Sequence, residues 1–446
     1  MRRSPRRVAE GGPGRRRAVA LATLAFAALA VGVGSCARQP IHVGASANGE
    51  VVPSRRAPSA RDASMRFVRV DLASHAATVE LTADGGWMLF AADGVTPLAV
   101  TQPGERWLLE RDGGRVSARR VDSSPVSLRD TTIIARSTDP DGTVRFNQRR
   151  YRGELRIRVS GSELMVVNRL RMDDYVRGVV PLEIGTNDAG DLAAVEAQAV
   201  AARSYAYTRL AGPARPYDVV ATVQDQVYGG ANAETSTGNR AVEETAGLVL
   251  QYDGRVVNAP YHANCGGSTA APEDSWNVDS EPYLRRVSDR IPGTDRYYCD
   301  WAPKFRWTRS YTAEQLRASL SRYVRALPGG AAGLSRVRDI RVTAVTPAGR
   351  VATLTVDSDH GRWSMRGNQI RAGLRLPSGE MLYSTYFSVD ADVRGGEVRR
   401  LTLQGGGNGH GIGMCQTGAI GRARAGQDFR TILGTYYPGT TVGTLE

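Results

Sequence analysis

The sequence predicts a mixed α+β fold, in which a β-rich body carries a few packed helices. Three observations support this prediction. Short runs of alternating apolar and polar residues begin at about Met65, and DGG, DG and SG turns separate them, as is typical of β-strands. A few longer segments repeat their apolar residues every three or four positions, as helices do. The chain also has 50 glycines and only 7% aromatic residues, which favours a turn-rich protein over a helical bundle.

The strand-like runs divide the chain into regions. They fill residues 65–165, which we interpret as an N-terminal β-rich region. The rest of the chain, residues 166–446, is interpreted as the main body. Strand patterns return within it, and we expect a β-rich subdomain at about residues 310–400. The sequence shows no internal repeat.

Helical spacing is clearest over residues 191–210. Leu192, Val195 and Ala199 recur there at three- and four-residue intervals, and Asp191 can cap the start. The small alanine face of this segment indicates close packing against a sheet. Further helices are predicted over residues 237–250, 312–327 and 429–437.

The first 36 residues have the pattern of an export signal. Three consecutive arginines end at Arg17, and an apolar stretch with small residues at its exit then leads to Cys36. The tetrad that ends at Cys36 resembles a bacterial lipobox, in which the cysteine becomes the lipidated first residue. Ordinary signal-peptide cleavage and a transmembrane anchor are the alternatives. We therefore expect an exported protein of the cell envelope or periplasm, lipid-anchored to a membrane, with residues 37–64 as a flexible tether.

The positive charge is concentrated near the N-terminus. Of the formal net charge of +13, +6 lies in residues 1–35, and nearly all of the basic residues are arginines because Lys304 is the only lysine. A moderately basic body suits an anionic polymer, but a solvated arginine-rich surface explains the charge equally well. No RNA-binding, zinc-finger or helix-turn-helix signature is present, so we expect no nucleic-acid partner.

One acidic residue stands out. Glu183 follows the apolar run VVPL, and the polar, glycine-containing sequence IGTND follows it. It is either an ordinary surface acid at a strand end or a carboxylic acid held in a dry setting, which would raise its pKa. Asp173, Asp174 and Asp188 are possible second carboxylates, but nothing in the spacing pairs them with Glu183.

Three glycine-flanked polar clusters are the other candidates for a site. They span residues 224–228, 261–267 and 409–416. Glycines beside a histidine or glutamine let backbone and ligand approach closely, although tight turns with local side-chain caps are the plain alternative. The sequence has no nucleophile elbow, HExxH pair, Walker loop or dinucleotide fingerprint.

Together these stretches resemble the SpoIID/LytB family of bacterial cell-wall proteins. The resemblance covers most of the chain from about residue 65 and rests on YVRGVVPLEIG, AVEAQAVAARSYAY, DQVYGG, AVEETAGLVLQYDG, YHANCGGSTA and GHGIGMCQTGAIGRARAG, in that order. It implies a central glycan-binding cleft and lytic transglycosylation of peptidoglycan. The bond cleaved would be MurNAc-GlcNAc, preferably in strands denuded of stem peptides. Other family members enhance an N-acetylmuramoyl-L-alanine amidase, so glycan binding without turnover is the alternative.

The resemblance also assigns site residues. The catalytic glutamate of the family falls on Glu183, although Ile184 and Gly185 follow it where Met-Pro is common. The substrate-binding positions that the resemblance implies are Gln198, Arg203, Tyr205, Gln226, Tyr228, His262, His410 and Gln416.

The remaining cysteines raise the question of a metal or a disulfide. Some family members bind zinc through a His-Cys pair just before the Gln-x-Tyr motif, but Gln224 and Asp225 stand at those positions here. An exported protein permits disulfides, and we expect Cys265 and Cys299 to be the candidate pair, with no metal and no cofactor. A metal site built from His262, Cys265, His410 and Cys415 is the alternative.

Overall fold

The computed structural model describes residues 55–56, 67–121, 127–185, 188–276, 278–327 and 333–444. The export segment with Cys36 and most of the tether lie outside these residues. None of the helices in the described ranges is both long enough and apolar enough to span a bilayer.

Two large sheets form the N-terminal part of the described chain. After the short β1 (Arg55–Arg56), their strands are β2 (Phe67–Ala76), β3 (Thr78–Thr82), β4 (Trp87–Phe90), β5 (Pro97–Thr101), β6 (Trp107–Asp112), β7 (Arg115–Arg120), β8 (Ser127–Asp130), β9 (Thr132–Ser137), β10 (Val144–Phe146), β11 (Arg149–Tyr151), β12 (Glu154–Ser160), β13 (Glu163–Arg171) and β14 (Val219–Val220). One sheet has the order β14-β2-β13-β12-β9-β4-β5 and the other β11-β10-β3-β6-β7-β8. Alternate side chains of these strands point inward, and Trp87 and Trp107 are fully buried.

The helix α1 (Met172–Ile184) follows β13 directly and carries Glu183. A strand end at this position is therefore wrong. Asp173 and Asp174 lie in the first turn, where the helix dipole favours negative charge, and Gly185 closes the helix with a φ of 67°. The buried side chains of α1 recur at helical spacing, so its apolar face packs on the core: Met172, Tyr175, Val176, Val179 and Val180.

The other helices agree largely with the predicted segments. They are α2 (Leu192–Tyr207), α3 (Ser236–Glu244), α4 (Pro272–Ser275), α5 (Ala313–Arg325), α6 (Asn368–Gly373), α7 (Gln416–Arg424) and α8 (Phe429–Tyr436), with short 3₁₀ turns at Ala189–Asp191 and Gly230–Ala233. Apart from Ala193 the alanines of α2 are buried, but this helix packs mainly against other helices, α1, α3, α7 and α8, and not mainly against a sheet as expected. The predicted helix over 237–250 is too long, because its last residues form a strand that begins at Leu248.

Small sheets complete the body. The strands are β15 (Leu248–Tyr252), β16 (Arg255–Val256), β17 (Tyr261–His262), β18 (Trp307–Thr312), β19 (Val337–Val345), β20 (Val351–Ser358), β21 (Gly361–Arg366), β22 (Phe387–Arg394), β23 (Glu397–Gly405), β24 (Met414–Cys415) and β25 (Thr441–Thr444). β17 pairs in parallel with β24, which brings the second and third glycine-flanked clusters together.

The strands from β18 to β23 and helices α5 and α6 have a hydrophobic core of their own. Buried residues between Tyr311 and Leu403 form one cluster, while a larger cluster joins the two N-terminal sheets to α1, α2, α7 and α8. The expected α+β class, a β-rich body with a few packed helices, is confirmed.

Candidate active site

Glu183 lies in the last turn of α1 and is half-buried. Burial raises the pKa of its carboxyl group above the ordinary glutamate value. The backbone N–H of Val227 donates to Oε1 of Glu183 at 2.8 Å, which opposes part of that shift. The negative end of the helix dipole lies at this terminus and also disfavours the charged carboxylate. The group is thus held in one position and biased toward its protonated form.

The 225–230 loop, which contains the DQVYGG motif, is fixed against α1 at two further points. The N–H of Gly229 donates to the carbonyl of Gly178 at 3.1 Å. Gly178 also leaves room for the ring of Tyr228, because a Cβ at this position would come within 2.5 Å of that ring. The motif around Glu183 and the DQVYGG motif are far apart in sequence, and the fold places them in direct contact.

Gln226 is fully buried and connects the loop to two tyrosines. Its Oε1 accepts from the hydroxyl of Tyr175 at 3.1 Å, and its Nε2 donates to the hydroxyl of Tyr261 at 2.8 Å. Burial first, and then the charge of Glu183, raises the pKa of Tyr261, so both tyrosines remain protonated hydroxyl groups near the acid. Tyr261 was not among the predicted site residues. Its only sequence signal is its place beside His262 in the YHAN cluster.

Tyr205 projects from α2 toward the same loop. Its hydroxyl donates to Oδ1 of Asp225 at 3.3 Å, and its ring lies under the guanidinium of Arg209. Asp225 is also paired with Arg209 at 3.4 Å and accepts from the backbone of Val220. Because the carboxylate of Asp225 is occupied in this way and Gln224 offers no thiolate or imidazole, these residues do not fit the zinc site found in some members of the family that the sequence resembles.

Arg203 and Tyr228, two of the predicted substrate-binding residues, make their polar contacts inside the protein. The guanidinium of Arg203 is fully buried, with Nε bound to Asp173 at 2.8 Å and Nη1 to the carbonyl of Leu248 at 2.9 Å. The hydroxyl of Tyr228 donates to Asn168 at 2.8 Å inside the core. In this geometry both side chains brace the fold around the loop and α1. A substrate contact by either residue stays a prediction.

The other predicted residues form a second group on β17, β24 and their neighbours. The ring of His262 lies 5.5 Å from that of His410, and its Nδ1 is 3.1 Å from the carbonyl of Ile412. Burial lowers the pKa of His410 well below its ordinary value, so this imidazole is neutral. Gln416 donates to Gln198 at 3.2 Å. Glu183, Val227, Gln226, Tyr175 and Tyr261 are called the Glu183 group below. Adjacent strand residues face opposite sides, so Tyr261 points toward this group while His262 points toward His410.

Two of the three possible second carboxylates lie far from Glu183. Asp173 and Asp174 lie at the opposite end of α1, and ten helical residues span about 15 Å. Asp188 caps the following 3₁₀ turn by accepting from the N–H of Gly190. Asp173 and Asp174 are therefore too distant to act together with Glu183, and Asp188 serves as a cap.

The candidate disulfide stays a prediction, because its two sulfurs lie close together without a bond in this structure. Cys265, Cys299 and Cys415 are free thiols, and the sulfurs of Cys265 and Cys299 are 3.5 Å apart, whereas a bonded pair lies at about 2.0 Å. All three cysteines are buried in one place.

Comparison with known proteins agrees with these motifs. The family model described as SpoIID, stage II sporulation protein, matches residues 160–252, which include Glu183 and Gln226. A domain of unknown function, DUF8618, matches residues 295–413.

Relatives extend the similarity along the chain. An uncharacterized protein of Brachyspira hyodysenteriae is 30% identical over 295 residues, which are 66% of this chain and 72% of that protein. The amidase enhancer of Bacillus subtilis is 30% identical over 305 residues, 60% of this chain but only 40% of the enhancer. Stage II sporulation protein D of Bacillus subtilis is 26% identical over 296 residues, 63% of this chain and 76% of that protein. Together, the family model and these relatives show that the chain belongs to the SpoIID/LytB family.

Proposed function

We propose that this protein cleaves peptidoglycan glycan strands by lytic transglycosylation, with Glu183 as general acid and then general base. The observation that carries the proposal is the state of Glu183. It is half-buried, its pKa is raised, and a backbone hydrogen bond from Val227 holds it. Such a carboxyl group is protonated at a pH where an exposed glutamate is charged, so it can donate a proton.

The reaction needs only one carboxylic acid. Protonated Glu183 donates to the oxygen of the MurNAc-GlcNAc bond, and the bond to C1 of MurNAc breaks. The resulting carboxylate removes the proton of the C6 hydroxyl of the same sugar, and that oxygen closes on C1 to give a 1,6-anhydro end. Tyr261, held by Gln226, offers a hydroxyl group beside the acid to orient the sugar.

A hydrolytic mechanism has less support. Hydrolases pair their acid with a second carboxylate at about 5–9.5 Å. Asp173 and Asp174 are at the far end of α1, and Asp225 is engaged with Arg209 and Tyr205. Formation of the 1,6-anhydro end needs only one carboxylic acid, and Glu183 supplies it.

Family membership supports a function related to the cell wall. We propose further that the protein is exported to the cell envelope, where Cys36 anchors it to a membrane by a lipid and its partner is the peptidoglycan strand.

A second candidate function is enhancement of a cell-wall amidase without turnover of the glycan. The observation that favours it is the 30% identity to the amidase enhancer of Bacillus subtilis, although the chain spans only two fifths of that protein. In this case the same residues would bind the glycan and present it to an N-acetylmuramoyl-L-alanine amidase.

Product analysis separates these functions. Purified protein is incubated with denuded and with intact sacculi, and the released fragments are analysed by mass spectrometry. We expect 1,6-anhydro-muramyl products from wild type, none from Glu183→Gln, and unchanged products from Glu243→Gln, which alters an exposed glutamate of α3. Circular dichroism checks that the variants are folded.

Other products would contradict the proposal in definite ways. Ordinary reducing ends would replace the transglycosylase with a hydrolase. Faster release of stem peptides by an added amidase, with no new glycan ends and no effect of Glu183→Gln, would favour the enhancer.

A further inference from the structure

Four metal-ligating side chains meet in the core, outside the Glu183 group. The ligand atoms of Cys265, Cys299, Cys415 and Asp289 all lie within 4.8 Å of one another. Every one of these residues is at most 1% exposed. The Cys265 and Cys299 sulfurs are 3.5 Å apart, and Oδ2 of Asp289 is 3.6 Å from the sulfur of Cys265. A tetrahedral site with metal–sulfur bonds of about 2.3 Å has sulfur–sulfur edges of about 3.8 Å.

Backbone N–H groups point at two of these sulfurs. The N–H of Gly267 donates to the sulfur of Cys265 at 3.3 Å. The sulfur of Cys415 accepts from Cys265 at 3.2 Å and from Gly418, in the first turn of α7, at 3.4 Å. Both a helix N-terminus and N–H donors stabilise a thiolate, which is the form that binds metals.

Asp289 is oriented by partners behind it. Its Oδ1 accepts from the hydroxyl of Tyr436 at 2.8 Å and from Nη2 of Arg422 at 3.0 Å. The other oxygen, Oδ2, is left facing the sulfurs. Metal-ligating carboxylates are commonly held by such outer hydrogen bonds, which fix the direction of the free oxygen.

A buried cation beside the cluster needs a negative charge. The side chain of Arg350 is 1% exposed, and its Nη2 reaches only the carbonyls of Cys265 and Ser268. Among the residues that the structure describes, no carboxylate forms an ion pair with Arg350, and its Nη1 has no hydrogen-bond partner. The charge of Asp274 acts on Arg350 only without a direct ion pair, a desolvated guanidinium is costly, and three neutral thiols would add no negative charge.

From this arrangement we propose a structural Zn²⁺ site formed by the thiolates of Cys265, Cys299 and Cys415 and by Oδ2 of Asp289. The three thiol protons leave to solvent when zinc binds, and the net negative charge of the loaded site offsets Arg350 and Arg422. Three sulfur ligands select zinc over calcium or magnesium, which prefer oxygen.

The site ties distant segments together. Cys265 follows β17, Cys299 lies in the segment before β18, and Cys415 ends β24 at the start of α7. The proposal revises the expectation of no metal and competes with the expected disulfide. A Cys265–Cys299 bond would leave the Cys415 thiol and Oδ2 of Asp289 buried side by side with no metal ion between them. The zinc site is independent of the proposed function, because its occupancy is measured without any activity.

The test is the metal content of the full-length protein, purified in detergent without chelator or added reductant. We expect one zinc per chain by inductively coupled plasma mass spectrometry. Nearly all of this zinc should be lost in Cys265→Ser, Cys299→Ser and Cys415→Ser. Ser204→Ala is the matched control, since Ser204 is buried in α2 and hydrogen-bonded to Leu250 but is not a ligand. This variant should be less stable and keep its zinc.

A measurement on the wild-type chain covers the case in which a cysteine variant fails to fold. Exchange of zinc for Co²⁺ should give the charge-transfer absorption of several thiolate–cobalt bonds and the visible bands of a tetrahedral site. Removal of the metal with a chelator should lower Tm, and Zn²⁺ alone should restore it. A Cys265–Cys299 disulfide in the purified protein without bound metal would overturn the proposal, and so would zinc that persists in all three cysteine variants.

Discussion

The backbone N–H of Val227 donates to Oε1 of Glu183 at 2.8 Å, and this bond joins the DQVYGG motif to the acid of α1. The two residues are 44 positions apart in the chain. The bond explains why a raised pKa and a fixed position occur together, since burial disfavours the charge while the loop holds the group.

The pH dependence of glycan cleavage should follow the protonation of Glu183. The pKa of Glu183 is raised by burial, so its protonated fraction falls only as pH rises through that higher value. We therefore expect kcat/KM to decline with pH above, and not at, the ordinary glutamate pKa of about 4.3. The measurement is a rate profile on soluble denuded glycan between about pH 4 and pH 8. A decline that is already complete near pH 4.3 would contradict the assigned environment of the acid.

The hydroxyl of Tyr261 should matter more for turnover than for folding. Tyr261→Phe removes the acceptor of the Gln226 amide and the hydroxyl beside Glu183. We expect kcat to fall about tenfold or more, because a misplaced acid or sugar loses near-attack geometry, while the free energy of unfolding changes by about 1 kcal/mol. Tyr217→Phe, at a partly exposed tyrosine, is the control and should leave both quantities unchanged. A loss of stability without a change in kcat would make Tyr261 a packing residue.

Arg203 should act through stability. Arg203→Leu leaves Asp173 and the carbonyl of Leu248 without their buried partner, and we expect a loss of about 3 kcal/mol in the free energy of unfolding. Arg296→Leu is the matched control, since Arg296 forms an exposed pair with Asp300 that contributes at most about 1 kcal/mol. Urea unfolding measures both. The substrate-orienting role implied by the family resemblance predicts instead that Arg203→Lys stays stable and loses affinity for denuded glycan in co-sedimentation.

The sequence identified local features well and tertiary contacts poorly. The α2 pattern was clear because small residues recur at helical spacing without interruption. The pattern of α1 was equally regular at Tyr175, Val176, Val179 and Val180, but an apolar run with β-branched residues also suits a strand, and Pro181 argues against a helix interior. The end of the predicted 237–250 helix became β15 because Gly247, with a φ of 70°, breaks the helix before Leu248.

The site residues also divide into those that a local motif indicates and those that only a tertiary contact reveals. Motifs singled out Glu183 and Gln226 as candidates, since each lies in a block that carries the family resemblance. Tyr261 meets Gln226 from 35 residues away, and no local pattern predicts that contact. Asp289 comes to the cysteines from a segment without any motif, so the fold alone reveals it.

The contact between Gly178 and Tyr228 should be sensitive to a single methyl group. In Gly178→Ala the new Cβ would lie 2.5 Å from the Tyr228 ring, which is too close, so the 225–230 loop must move away from α1. We expect this variant to lose at least about 1 kcal/mol of stability, as overpacked cores do, and to lose glycan cleavage because the Val227 bond to Glu183 is displaced. Gly434→Ala is the matched control: Gly434 is also helical, in α8, and a Cβ there would meet no atom within 4 Å. The control should be as stable as wild type or more stable by about 0.5–1 kcal/mol, since alanine favours the helix. Thermal unfolding and product analysis of the two variants side by side give the answer, and equal behaviour of both would show that the loop does not depend on its close approach to α1.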